Sequence, residues 1–408
     1  MSLDPIDDAQ QVRQAGAGPL ALAMGAQRER TLGLFAALRA ARGGRLDIPY
    51  SEAVNPPLWE LGHVGWFEEF WIARNPERLR GTAARLEAPR AAPLQPGADG
   101  LYDSSHVPHA RRWHLDLPDA ARTLHLLAQG RERSLALLRA GNQSDDALYF
   151  FRLALMHEAM HHEADTMIAQ ALALDVAAAL AATGPVAAAV EGEIQLGATT
   201  LTLGTQGSGF AFDNELGAHR VDVAAFTIDR APVTWGAYLP FIEAGGYDDA
   251  RYWHPAGWAW RQRELPGGLP RHLSRSDDGR LRCSRFGHWA ALEAQQPAVH
   301  LSQHETQAWC AWAGRRLPTE AEWICAAEAG ADGFAWGQVW EWTASPFAPW
   351  PGFAPHPYRD YSQPWFDGRP VLKGGSFATA GFMKHTRYRN FFLPGRNDVF
   401  AGFRSCAR

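Results

Sequence analysis

Only four cysteines occur in the 408 residues, Cys283, Cys310, Cys325 and Cys406, and no two form a CxxC pair. Neither a disulfide framework nor a thiolate zinc site is expected. Basic residues are not in excess: 39 Lys and Arg stand against 44 Asp and Glu, a formal charge of −5, so no polyanion-binding surface is implied and nucleic acid is not an expected partner. No run of about 18 apolar residues free of breakers is present, and the opening MSLDPIDDAQQ is acidic where a secretory leader needs a basic start and an apolar stretch. The expectation is a cytoplasmic protein without a membrane partner. What the chain does have is 46% hydrophobic residues and 17 Trp against 9 Tyr. That is ample for a packed core, and the length favours two domains over one.

Composition changes near residue 185. Before it, Ala/Leu/Arg-rich segments with helical periodicity cover 16–42, 55–75, 118–140 and 144–177, the pattern of a four-helix bundle. The stretch 76–117, rich in Pro, Gly and Asp, is too long for a turn and reads as a crossover able to reach the mouth of the bundle. After the Ala-rich run at 176–191 come short β-type runs punctuated by Gly, Pro and Asp, with helices expected at 233–244, at 302–313 and just after Pro318. The fold class read from this order is α plus α+β, with a helical domain over 1–185 and a mixed domain over 192–408.

The sharpest local signal is HEAMHHEAD, His157 to Asp165. His157 and His161, four apart, share one helix face with Cβ atoms about 5–6 Å apart, a spacing that suits two ligands of one metal. His162 points elsewhere. The letters also satisfy HExxH, in which Glu158 would be the base of a zinc peptidase, but the third downstream ligand that motif needs is missing: Ala164 and Met167 stand where a metzincin has Gly and His. A third nitrogen lies upstream instead, at His63 in NPPLWELGHVGWFEEFW. Three imidazoles with open positions suit iron, zinc, copper or nickel, and make the site catalytic in kind.

NPPLWELGHVGWFEEFW, YDSSHVPHARRW and HEAMHHE, in that order, resemble the DinB-like bundle of the ergothioneine sulfoxide synthases, the EgtB-like non-haem iron enzymes. The later runs PAVHLSQHETQAWCAWAGRRLPTEAEW, VWEWTAS, VLKGGSFAT and NFFLPGRNDVFAGFRSCAR look like the formylglycine-generating-enzyme-type, C-type-lectin-like domain those enzymes carry. The resemblance runs from about residue 15 to the end. It implies an Fe(2+) held by His63, His157 and His161, with dioxygen as oxidant. It also implies small-molecule partners: hercynine, the trimethylated betaine of histidine, and a sulfur or selenium donor joined to C2 of its imidazole.

The resemblance further implies a tyrosine proton donor, for which Tyr358 and Tyr361 are the candidates, and substrate contacts from Asn390, Phe391, Phe392, Met160 and Trp66. Trp113 is a further aromatic candidate. A quaternary ammonium group calls for such aromatic faces. Arg111 and Arg112 are candidates for a carboxylate, which a guanidinium binds bidentately, whereas Arg404 reads as a structural ion-pair partner. Three departures matter. Met160 stands where the best-known branch has a Gln that holds the imidazole, and Phe392 stands where that branch has the acid that contacts a γ-glutamylcysteine amine. The link from Phe334 to Ser345 is also shorter than in relatives. These changes turn the reading from γ-glutamylcysteine towards cysteine or a selenosugar, leaning to selenoneine formation. Two other readings compete: a zinc-dependent thiol transferase using the same histidines, and a lectin-like module that only binds.

Overall fold

The computed structural model describes residues 6–187, 190–330 and 333–408. The first five residues of the stretch read for a leader, and two residues of the Ala-rich run, lie outside them. Among the described residues six α-helices build the first half: α1 (Ala9–Gln14), α2 (Ala17–Ala41), α3 (Pro57–Glu68), α4 (Ala98–Tyr102), α5 (Ala120–Ala140) and α6 (Asp145–Ala171). Each long helix starts where its sequence says it should. Pro57 opens α3, the Asp119 carboxylate accepts from the Arg122 N–H, and the Ser144 hydroxyl accepts from the Ala147 N–H ahead of Asp145 and Asp146. The last turn of α3 widens into a π turn over Glu69–Ala73. α6 stops six residues short of the expected end, because Ala173 adopts a left-handed φ of 53° and turns the chain away.

The second half holds α7 (Trp235–Glu243), α8 (Pro255–Glu264), α9 (Gln303–Trp312) and α10 (Glu320–Glu328). Capping boxes at Ser302 with Glu305 and at Thr319 with Glu322 start the last two. Strands β1 (Glu193–Leu196), β2 (Thr199–Leu203), β3 (His219–Val223) and β4 (Phe226–Asp229) come first. They are followed by β5 (Leu273–Arg275), β6 (Leu281–Arg285), β7 (His288–Ala291) and β8 (Arg315–Arg316). The last five are β9 (Trp340–Pro346), β10 (Pro370–Lys373), β11 (Asn390–Phe391), β12 (Ala401–Gly402) and β13 (Cys406–Ala407). They form sheets of order β1-β4-β13-β8 and β11-β10-β9-β12, a β2-β3 ribbon and a β5-β6-β7 meander. β10 pairs antiparallel with both β9 and β11, setting Leu372 opposite Trp342 and Asn390, so the central sheet delivers Asn390 and Phe391 to one rim.

One apolar core unites the halves: Trp71, Phe150 and Leu155 of the bundle belong to the same buried cluster as Trp340, Leu372 and Phe403. α6 is the shared element. The Glu163 carboxylate accepts hydrogen bonds from Trp340 Nε1 (2.8 Å), Ser376 Oγ (2.6 Å) and Thr379 Oγ1 (2.7 Å). Two turns on, Gln170 bonds the Ser284 carbonyl and the Phe286 N–H. α1 adds a strap: Arg13 makes a buried two-bond pair with Glu215 at 2.7 and 2.8 Å. All four cysteines are free and buried, and Arg404 pairs with Glu341 in the core. No helix among the described residues is long and apolar enough to cross a membrane.

Candidate metal centre

The buried faces of α3 and α6 meet at three imidazoles. His63 Nε2 lies 3.2 Å and His161 Nε2 3.1 Å from His157 Nε2, and the ligand atoms of all three fall within 4.8 Å of one another. The tautomers follow from what each ring meets behind it. His63 Nδ1 is 2.7 Å from the Tyr102 carbonyl, which only accepts, and His161 Nδ1 meets the Glu60 carboxylate, so both Nδ1 atoms carry a proton and Nε2 is the nitrogen each ring turns towards His157. One proton on His157 Nε2 would satisfy only one of its two contacts. A cation satisfies all three, so the residues present fit a bound metal. Burial is the first cause that holds His157 well below its usual range and His63 at about 3, with the neighbouring imidazoles adding to it, which keeps both rings in the neutral, metal-binding form.

Aromatic rings hold the ligands in place. Phe67 stacks on His157 at 3.5 Å and Trp59 stacks on His63 at 4.8 Å, 10° from parallel. Glu60, buried behind His161, also accepts from Asn55 Nδ2 at 2.5 Å, so the outer partners are themselves fixed. Glu158 takes no part. Its carboxylate turns into the bundle, where Arg28 Nε and Arg131 Nη2 each reach it at 2.6 Å, which removes the base of the peptidase reading.

The three histidines floor a cavity of about 640 Å³ whose opposite wall comes from the second half. Met160, Tyr358, Tyr361, Asn390, Phe391 and Arg112 all line it. Of these two tyrosines Tyr358 meets a histidine, its ring 6.2 Å from that of His157; burial raises the pKa of both. The crossover reaches the mouth as expected, bringing Ser104, Ser105 and His109, and the Ser105 hydroxyl bonds Asp360 across the rim.

The family model of the DinB superfamily matches residues 23–164, and that of the sulfatase-modifying factor enzyme 1-like domain matches residues 179–338. The chain is 35% identical over 410 residues to a hercynine oxygenase of Mycobacterium tuberculosis, covering 88% of this chain and 92% of that one. The chain belongs to the hercynine oxygenase family. A second member, from Mycolicibacterium smegmatis, is 33% identical over 449 residues, covering 96% and 98% of the two chains. The second half alone is similar to a formylglycine-generating enzyme of Streptomyces coelicolor, 31% identical over 190 residues, covering 41% of this chain and 58% of that one. Family membership makes the protein an oxygen-using oxidoreductase.

Four residues expected near the substrate do not line the cavity. Arg111 is exposed, because neighbours on the 3₁₀ turn His109–Trp113 point about 120° apart and only Arg112 turns inward. Phe391 faces the cavity while Phe392, next in the chain, lies against Arg396. Trp66 is buried behind His63 and donates to Asp99, and Trp113 donates to the Ile48 carbonyl. Sequence reading missed Asn55, Trp59, Asp360, Trp365 and Tyr388, all of which line the cavity. Trp59 carried a signal, since it stands one helical turn before His63; the others arrive through loops.

Proposed function

We propose that the protein is a non-haem iron(II) enzyme that uses dioxygen to join a chalcogen to C2 of the imidazole of hercynine, with His63, His157 and His161 as the iron ligands. The convergence of three imidazole nitrogens, two of them on rings oriented by hydrogen bonds from behind, on the floor of an aromatic-walled cavity carries this reading. Iron bound there would supply the electron transfer to dioxygen that no side chain can.

The chain's own groups divide the remaining tasks. Arg112 lines the cavity without an ion-pair partner among the described residues, and a substrate carboxylate supplies one. The Phe391 ring, which lines the cavity, suits a trimethylammonium group, and the Asn390 amide suits the imidazole or carboxylate. Tyr358, whose hydroxyl stays protonated, is the proton donor, with Tyr361 behind it. Met160 packs against the substrate but offers it no N–H. Holding both reactants in contact geometry supplies much of the rate.

For the donor we favour a selenosugar over cysteine or γ-glutamylcysteine. Trp365, 39% exposed, stands at the mouth with its indole N–H on the Asp360 carbonyl and the Arg369 guanidinium 4.7 Å from its ring centroid. A cation on one face weakens the ring's attraction for a second cation on the other, which leaves that face suited to the C–H groups of a neutral, polyhydroxylated partner. Zinc would fit three imidazoles equally well. Aerobic incubation of the iron-loaded protein with hercynine and a panel of thiols, thiosugars and selenosugars, read by mass spectrometry, tests the reading. A selenium-bearing product is expected. Turnover of cysteine alone overturns the donor, and equal turnover by the zinc form under nitrogen overturns the iron.

A further inference from the structure

Arg112 occupies an unusual electrical position. It forms no ion pair among the described residues, and its Nε is buried without an acceptor. Its guanidinium lies 4.1 Å from the ring of Trp59, whose other neighbour in the stack is His63, 4.8 Å away and 10° from parallel. Its Nη1 donates to Asn55 Oδ1 at 2.8 Å, Asn55 Nδ2 donates to Glu60 Oε1 at 2.5 Å, and the other Glu60 oxygen takes the proton-bearing Nδ1 of His161. One cation at the cavity wall therefore backs, by two separate routes, onto two of the three metal-binding imidazoles.

We propose that Arg112 senses the substrate carboxylate and transmits its arrival to the metal centre through Trp59–His63 and Asn55–Glu60–His161. This rests on the reading of the three histidines as a metal site, and goes beyond it in linking two occupancies. While the guanidinium is unpaired, its charge repels a metal cation across one stacked indole, and the buried Trp59 and His63 between them limit how far salt screens it. A carboxylate on Arg112 cancels that charge. It also weakens the donation that polarises the Asn55 amide, so Asn55 draws less on Glu60 and leaves that carboxylate a stronger acceptor for the His161 Nδ1–H. The metal is then held more tightly once substrate is bound, and by linkage the substrate is held more tightly once metal is bound.

The test uses the full chain, cobalt(II) in place of the native metal, and propionate as the carboxylate probe, with cobalt affinity read by calorimetry and visible absorption. Propionate is expected to tighten cobalt binding on the order of tenfold, within the usual span of coupling between sites. Arg112→Gln, neutral and similar in length, is expected to bind cobalt about as tightly without propionate as the wild type does with it, and to show no further response. Asn55→Ala, which cuts one route and leaves the stack, should retain part of the coupling. Cobalt affinity in the wild type that ignores propionate overturns the proposal. So does an equal response in Arg112→Gln, since propionate would then be ligating the cobalt directly. Product formation with hercynine judges the functional reading separately: product without propionate–cobalt coupling leaves that reading standing and removes this one.

Discussion

Glu163 and Trp340 share a buried hydrogen bond of 2.8 Å, and through it the helix that carries His157 and His161 is fixed to the first residue of the strand at the centre of the second half's sheet. Trp340 in turn packs edge-on against Tyr388, a ring of the cavity wall. The helix of the candidate metal-binding histidines and the wall opposite them are thus joined through one carboxylate. Glu163→Ala leaves the Trp340 indole and one of the paired Ser376 and Thr379 hydroxyls without an acceptor in the core, and should cost about 3 kcal/mol in chemical denaturation. Glu163→Gln keeps the oxygen that receives Trp340 and Ser376, and should lose about 1 kcal/mol.

A second prediction concerns Gly62, next to His63. A Cβ there would stand 2.3–2.6 Å from two ring atoms and the hydroxyl oxygen of Tyr102, and the Tyr102 carbonyl is what orients His63. Gly62→Ala should therefore displace Tyr102 and weaken metal binding by about 10- to 100-fold, the usual cost of losing an outer-shell partner. Gly65→Ala is the control. Its Cβ would meet the end of the Leu127 side chain at 2.7 Å, so it should lower the melting temperature while leaving metal affinity unchanged in a titration.

How much of this was legible in the sequence depends on how far apart the partners are. His157 and His161 were readable because a helix places i and i+4 on one face without help from the rest of the fold. The starts of α6, α9 and α10 fall where the periodicity and Pro318 place them, and Ser144, Ser302 with Glu305, and Thr319 with Glu322 fix them through contacts within three residues. The end of α6 was not readable, since the apolar text continues past Ala171 and only a tertiary turn at Ala173 stops it. α8 was missed because WAWRQRE has no apolar stripe of helical period. The rim contact between Ser105 and Asp360 and the clamp between Glu163 and Trp340 join residues far apart in the chain, and no local pattern encodes such pairs.

The acid Glu305 predicts a pH dependence of stability away from the metal centre. Buried and paired with Tyr247 and Ser302 but with no cation, it is pushed by desolvation from 4.5 up to about 7. Between those values the folded protein holds the proton more often than the unfolded chain, so stability falls as pH rises through that window and levels off above it. The loss is on the order of 3 kcal/mol at most, at about 1.4 kcal/mol per unit. Glu305→Gln, a mimic of the protonated carboxyl, should narrow the difference between urea unfolding at pH 5 and at pH 8 by that amount. An unchanged difference would show that Glu305 ionises as it does in the unfolded chain.

Glu158 separates the hydrolytic reading from the oxidative one. In a peptidase built on HExxH the glutamate is the base, and its replacement by Gln would abolish turnover while sparing the fold. Here the carboxylate is nearly inaccessible and sits between Arg28, at 2.6 and 3.2 Å, and Arg131, at 2.6 Å. Glu68 shares the same two arginines. Removing one charge from that cluster leaves two guanidinium groups competing for a single carboxylate in the core, a change that typically costs about 3–5 kcal/mol. Glu158→Gln should therefore lower the urea midpoint sharply. At a temperature where it remains folded, its metal stoichiometry and its turnover per folded molecule should match those of the wild type.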